Sequence, residues 1–145
     1  MEKKIRKAVR SYLIRDNKVV VIKYNQGNIG FYDIPGGKIE ENESSEEASV
    51  REFMEETGIS IIKQHHIGHI FIDYPERIFN LEVFLVDEYS GTPKNFEEND
   101  SMWVDIESLE KEERLLPSTR IISYVKNGMN IKIECDSNHN ILSIK

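Results

Sequence analysis

Sulfur is scarce in this sequence, and long apolar runs are missing. A single cysteine, Cys135, stands among 145 residues, so no internal disulfide can staple the fold and a reducing, cytoplasmic setting is expected. That thiol reads as a quiet structural residue. No apolar stretch approaches the roughly 20 residues that cross a bilayer, so no membrane partner is expected. Behind the basic residues of Met1-Glu2-Lys3-Lys4-Ile5-Arg6-Lys7 there is no apolar stretch of signal-peptide length, so no export is expected. Positive charge is also in deficit. A net charge of −7 speaks against nucleic-acid polymers as partners, because those are gripped by basic surface. Small phosphorylated ligands stay compatible, since divalent cations can stand between protein carboxylates and phosphates.

What is present is an ordinary globular balance, 39% hydrophobic and 31% charged, long enough for one domain spanning residues 1–145. No internal repeat, low-complexity tract or Pro/Ser-rich linker interrupts it. Strands are expected at Lys7–Ile14 and Val19–Tyr24, with Asp16-Asn17 turning between them. A polar loop at Asn25-Gln26-Gly27-Asn28 leads to Phe31-Tyr32-Asp33-Ile34 and then to Pro35-Gly36-Gly37. Further strands are read at His66–Tyr74, Ile78–Val86 and Met102-Trp103-Val104, with a turn at Tyr89-Ser90-Gly91-Thr92-Pro93. A helix is expected over Pro117–Lys126, and a terminal hairpin where Ile131-Lys132-Ile133 and Ile141-Leu142-Ser143-Ile144 flank Asp136-Ser137-Asn138. Strands on both sides of a central helix predict an α/β fold with a mixed sheet sandwiched by helices.

The strongest helix signal runs from Ser44 to Gly58. Ser44 with Glu47 has capping-box spacing, and Gly58 sits at the C-cap. Val50, Phe53, Met54 and Thr57 make a mainly apolar stripe, while Glu52, Glu55 and Glu56 gather on the opposite side. Like charges at i, i+3 and i+4 repel by a few tenths of a kcal/mol per pair. A solvated acidic face is one reading of that cluster; a site for hard, oxygen-seeking cations is the other. The glycine pair just upstream favours the second. Gly36-Gly37 lets backbone approach a ligand unobstructed, and Lys38 follows directly to meet a phosphate.

The histidines His65, His66 and His69 cluster in sequence, but neighbours on a strand point to opposite faces, so no metal site is expected there. Tyr32, Phe31 and Phe79 suit a core as well as base stacking, and Trp103 reads as core.

Gly37-Lys-Ile-Glu-Glu-Asn-Glu43, seven intervening residues, and Arg51-Glu52-Phe53-Met54-Glu55-Glu56-Thr57-Gly58-Ile59 match the Nudix box at every defined position. The chain thus resembles the Nudix hydrolases. Looser similarity, through Tyr74-Pro75, Gly91-Thr92-Pro93 and Trp103, points to their MutT-like branch, and the terminal hairpin resembles that of the oxidised-purine nucleoside triphosphatases.

The resemblance implies a Nudix-type α/β/α sandwich that hydrolyses a diphosphate link with Mg²⁺, Mn²⁺ being the alternative. It implies Glu52, Glu55 and Glu56 as metal ligands with the Gly36 carbonyl, and Glu43 with Arg51 as a buried acid–base pair. Lys38, and Lys23 on the preceding strand, would touch phosphates. A further catalytic acid would come from the distal loop, where Glu97 and Glu98 compete; the general base is left between them and Glu52. Ser118 falls where relatives read the base with an amide or acid. The resemblance therefore implies a nucleotide substrate, a nucleoside triphosphate such as 8-oxo-dGTP first, with ADP-ribose or dinucleoside polyphosphates, or a non-catalytic nucleotide-sensing domain, as alternatives. A monomer or homodimer is expected.

Overall fold

The computed structural model describes residues 3–145; Met1 and Glu2, at the head of the basic N-terminal stretch, lie outside the described residues. The strands are β1 (Lys4–Tyr12), β2 (Ile14–Arg15), β3 (Lys18–Tyr24), β4 (Tyr32–Asp33), β5 (Gly36–Lys38), β6 (Ser60–Asp73), β7 (Arg77–Ser90), β8 (Asn99–Asp105), β9 (Met129–Cys135) and β10 (Ile141–Ile144). Helix α1 spans Ser45–Thr57, α2 Ile106–Glu110 and α3 Pro117–Arg120, followed by one 3₁₀ turn at Ile122–Tyr124. Six strands form one sheet in the order β10-β9-β6-β7-β1-β5, and a smaller sheet carries β2-β3-β4 with β8 on the other edge of β3. β1 with β7 and β6 with β9 run parallel while their other neighbours are antiparallel, so the large sheet is mixed, as expected.

The run Val19-Val20-Val21-Ile22 is fully buried because both faces of β3 are covered, which is why it reads as unbroken rather than alternating. Val19 and Val21 join the main core with Tyr12, Ile34, Ile70 and Leu81. Val20 faces the other way, with Leu13, Phe53, Ile59 and Val86, beneath α1. A third small cluster, Val9, Ala48 and Phe84, seats the N-terminal half of α1 on the large sheet. Each fully buried Ile, Leu or Phe in these clusters contributes roughly 1.5–3 kcal/mol. β9 alternates buried and exposed along its whole length, so one of its faces meets solvent.

The structure corrects the expected elements in three places. The apolar stripe on α1 is rotated: Phe53 and Thr57 are buried, but Val50 and Met54 are 39% and 42% exposed, and Ala48 and Ser49 take the core positions. The helix after Pro117 stops at Arg120 because the chain tightens into a 3₁₀ turn that buries Ile121 and Ile122. The central hairpin is far longer than its apolar segments. β6 starts at Ser60 and β7 runs through Ser90, so the expected turn begins only at Gly91; register shifts at Ile61/Lys63, Lys63/Gln64 and His66/Gly68 break the alternation that would have revealed it.

Candidate functional site

α1 is fixed at both ends by its own sequence. The Ser44 hydroxyl accepts from the Glu47 amide at 3.1 Å, and the Glu47 carboxylate accepts from the Ser44 amide at 3.0 Å. Gly58, at φ 76°, closes the helix by donating to the Met54 carbonyl. With that register, Glu52 and Glu56 turn toward the glycine strand β5 while Glu55 stays exposed.

The Gly36 amide donates to Glu56 Oε1 at 2.7 Å. Burial pushes the Glu56 carboxyl up to about 8, against the opposing pull of that amide and of Arg10. Glu52 lies against Gly37, where an added Cβ would stand 2.5 Å from its carboxylate. Burial raises the Glu52 pKa as well, while Arg51 works against it. At Gly36 a Cβ would meet the Val9 carbonyl at 1.9 Å, because β5 pairs there with β1. Both glycines are thus required by close approach, one to backbone and one to a carboxylate.

Arg51 ties the loop to the helix. Its Nε and Nη2 donate to the two oxygens of Glu43 at 2.6 and 2.9 Å, a bidentate pair. Nη1 reaches Glu52 at 2.9 Å and Glu55 at 3.3 Å, and Nη2 also donates to the Lys38 carbonyl. The Arg51 guanidinium, with the Glu40 amide, holds the Glu43 carboxyl down at about 2. The pair is not buried, contrary to expectation: the two side chains are 27% and 15% exposed, because the loop lies over the surface of α1.

Glu97 and Glu98 are both exposed, and neither side chain has a hydrogen-bond or ion-pair partner among the described residues. Their loop is moored to the C-terminal end of α1 by Asn99, whose side-chain amide donates to the Glu56 carbonyl at 2.9 Å.

Beside Gly37 opens a cavity of about 730 Å³ whose charged lining is entirely basic: Lys4, Arg6, Lys7, Arg10, Lys38 and Arg77. A smaller one, about 140 Å³, is lined by Tyr24, Asp33, Ser118 and His139, and shares Arg10 and Arg77 with the first. The Nε atoms of Arg10 and Arg77, two residues that line both cavities, are buried without a hydrogen-bond partner among the described residues. Of the basic residues expected to meet substrate, Lys38 lines the large cavity. Lys23 lines neither; its ammonium stands over the Tyr32 ring at 5.4 Å. Ser118 lines the small one, its carbonyl accepting from the buried Tyr12 hydroxyl.

The sequence reading missed Arg10, Asp33, Arg77 and His139. Asp33 is fully buried, 3.6 Å from Arg10 and hydrogen-bonded by the Tyr24 hydroxyl; burial raises its pKa, with Arg10 opposing. An acid next to Ile34-Pro35-Gly36 was the available signal for it. His139, on the terminal hairpin, had none.

Glu52, Glu55 and Glu56 offer oxygen donors only, the kind that hard divalent cations take, and Glu52 lies against Gly37, which lines a basic cavity large enough for a small ligand. Comparisons with known proteins bear on the family and the fold. The chain is 35% identical over 77 residues to the oxidized purine nucleoside triphosphate hydrolase of Mus musculus, covering 51% of this chain and 49% of that protein. It is 40% identical over 62 residues to the 8-oxo-dGTP diphosphatase of Proteus vulgaris, covering 43% and 55%. The chain thus spans about half the length of the curated relatives it matches. A crystal structure of a MutT protein from Bacillus halodurans superposes with a TM-score of 0.80 over 97% of this chain and 96% of that one, at 19% identity, a likeness of fold. The NUDIX domain model matches residues 4–123, and the chain belongs to that family.

Proposed function

We propose that this chain hydrolyses the diphosphate link of a nucleoside triphosphate, releasing the monophosphate and pyrophosphate. The observation that carries the reading is the contact of Glu52, one of the clustered α1 carboxylates, with Gly37, a residue that lines the all-basic cavity. The similarity to oxidised-purine triphosphate hydrolases supports it.

In this reading Glu52, Glu55 and Glu56, with the Gly36 carbonyl, hold a divalent cation, Mg²⁺ first and Mn²⁺ as the alternative. The donor chemistry fits: Glu52 and Glu56 are partly desolvated beside the exposed Glu55, and Gly37 leaves room for the Glu52 carboxylate. Bound there, the cation supplies neutralisation of the diphosphate charge and acidification of the attacking water.

The remaining work falls to the chain itself. Lys38, Arg10 and Arg77 meet the phosphate oxygens from the basic wall. Glu52, or Glu97 or Glu98 from the moored loop, takes the proton of the attacking water. The water oxygen bonds to phosphorus as the bond to the leaving pyrophosphate breaks. Arg51 keeps Glu43, Glu52 and Glu55 in register without touching substrate.

Ser118 and Asp33 border the small cavity and are assigned to base contact; a serine offers fewer hydrogen bonds than an amide, so selectivity among bases is expected to be moderate. The chain acts as one domain, 1–145, as a monomer or homodimer. A cytoplasmic setting suits its single, buried thiol. Among the described residues no helix is long and apolar enough to cross a membrane.

The test is a panel of 8-oxo-dGTP, ordinary dNTPs, ADP-ribose and a dinucleoside polyphosphate at one Mg²⁺ concentration, with products identified. A triphosphate should give pyrophosphate with the highest kcat/KM. A tenfold advantage for ADP-ribose would overturn the substrate while leaving the family intact.

A further inference from the structure

His66 and His69 should not share a face of a regular strand, since residues three apart point to opposite sides. They do share one here. The register of β6 against β7 shifts between His66 and Gly68, and this bulge brings the two imidazoles to 5.2 Å between ring centres. Gly68, at φ 148°, provides the backbone the bulge needs; a Cβ there would strike the Met129 carbonyl on β9. Glu82 on β7 lies directly opposite His69 in the register, with its carboxylate 3.3 Å from His66 Nε2. One ligand atom from each of His66, His69 and Glu82 falls within 4.8 Å of the others.

The surroundings are arranged as a metal site needs. His69 Nδ1 lies 3.2 Å from the Asn80 side-chain oxygen, which can only accept, so that nitrogen carries the proton and Nε2 presents its lone pair. The His69 ring stacks on Phe71, and His66 packs edge-on to Phe84, which is fully buried under α1. These contacts hold the rings in place, while His66 remains exposed and leaves a side open for a cation to enter.

We infer that His66, His69 and Glu82 form a second metal site, separate from the carboxylate cluster on α1, for a borderline divalent transition metal such as Zn²⁺. Two imidazoles and one carboxylate select Zn²⁺ over the hard cations that an all-oxygen cluster takes. The cation bridges β6 and β7 at the bulge, with its fourth position open to solvent.

The experiment is calorimetric titration of the full chain with Zn²⁺ alone, after chelation, in the presence of excess Mg²⁺ to occupy the α1 carboxylates. One Zn²⁺ per chain is expected. His69→Ala and Glu82→Gln should each weaken it at least about tenfold, and Asn80→Leu should weaken it by roughly 10–100-fold through the freed ring. Melting curves establish that each variant is folded, and pyrophosphate release with Mg²⁺ should match wild type in all three. As a second reading, Co²⁺ bound to wild type should show the visible absorption of a nitrogen-ligated ion, absent in His69→Ala. No Zn²⁺ binding under excess Mg²⁺, or equal binding by folded wild type and His69→Ala, would overturn the site.

Discussion

The backbone amide of Gly36 donates to the carboxylate of Glu56, 2.7 Å away and twenty residues later in the chain. That bond fastens β5 to the middle of the candidate site, and the neighbouring Gly37 gives the carboxylate of Glu52 its space. The two glycines therefore answer to different constraints, and alanine should separate them.

At Gly36 the added methyl meets the Val9 carbonyl, a backbone atom in the β1–β5 ladder that cannot step aside. Gly36→Ala is expected to cost roughly 1–3 kcal/mol, as overpacking does, and to lower Tm by several degrees. At Gly37 the methyl meets only the end of the Glu52 side chain, which can swing away. Gly37→Ala should keep Tm within a degree or two and still lose most activity. Equal melting temperatures for both variants would contradict the assignment.

Arg51 holds carboxylates that would otherwise repel one another, Glu43, Glu52 and Glu55. Arg51→Ala should lower both Tm and the rate, and high salt should recover part of the Tm by screening that repulsion. Arg51→Lys keeps the charge but cannot make the bidentate pair, so it should fall between. A Tm for Arg51→Ala within a degree of wild type at low salt would show that the network does not support the loop.

The acid limb of stability follows from Glu43. Its carboxyl is held at about 2, below the ordinary 4.5. A depressed acid stabilises the fold in full above the unfolded value, and that contribution fades as pH falls through 4.5 toward 2. The Tm gap between wild type and Glu43→Gln should therefore be widest near neutrality and close across that window. A gap that stays constant from pH 6 to about 2 would sink the pairing.

How much of this was legible in the sequence depended on distance along the chain. Ser44, Glu47 and Gly58 act within one helix, so its ends could be read directly. Its buried face could not. Glu56 turns inward because the Gly36 amide waits for it, and that partner belongs to another element. Lys23 was expected at the phosphates from the resemblance, and its place over the Tyr32 ring, on a partner nine residues later, is not written in its strand pattern. The basic wall joins Lys4 and Arg10 on β1, Lys38 on β5 and Arg77 on β7, strands made neighbours by one antiparallel and one parallel pairing that no local pattern announces. The bulge that unites His66 with His69 was hidden for the same reason, since a register shift is a property of two strands together.

The central claim is that the carboxylates of α1 hold the cation that makes a nucleoside triphosphate hydrolysable. The most direct measurement is the initial rate of pyrophosphate release from a dNTP over a Mg²⁺ titration, for wild type, Glu55→Gln and Glu56→Gln. The substitutions are close to isosteric, so folding should persist by circular dichroism while the rate falls about 10²-fold or more, in keeping with removal of a principal electrostatic contribution. Wild-type rates in both variants at saturating Mg²⁺ would contradict the account.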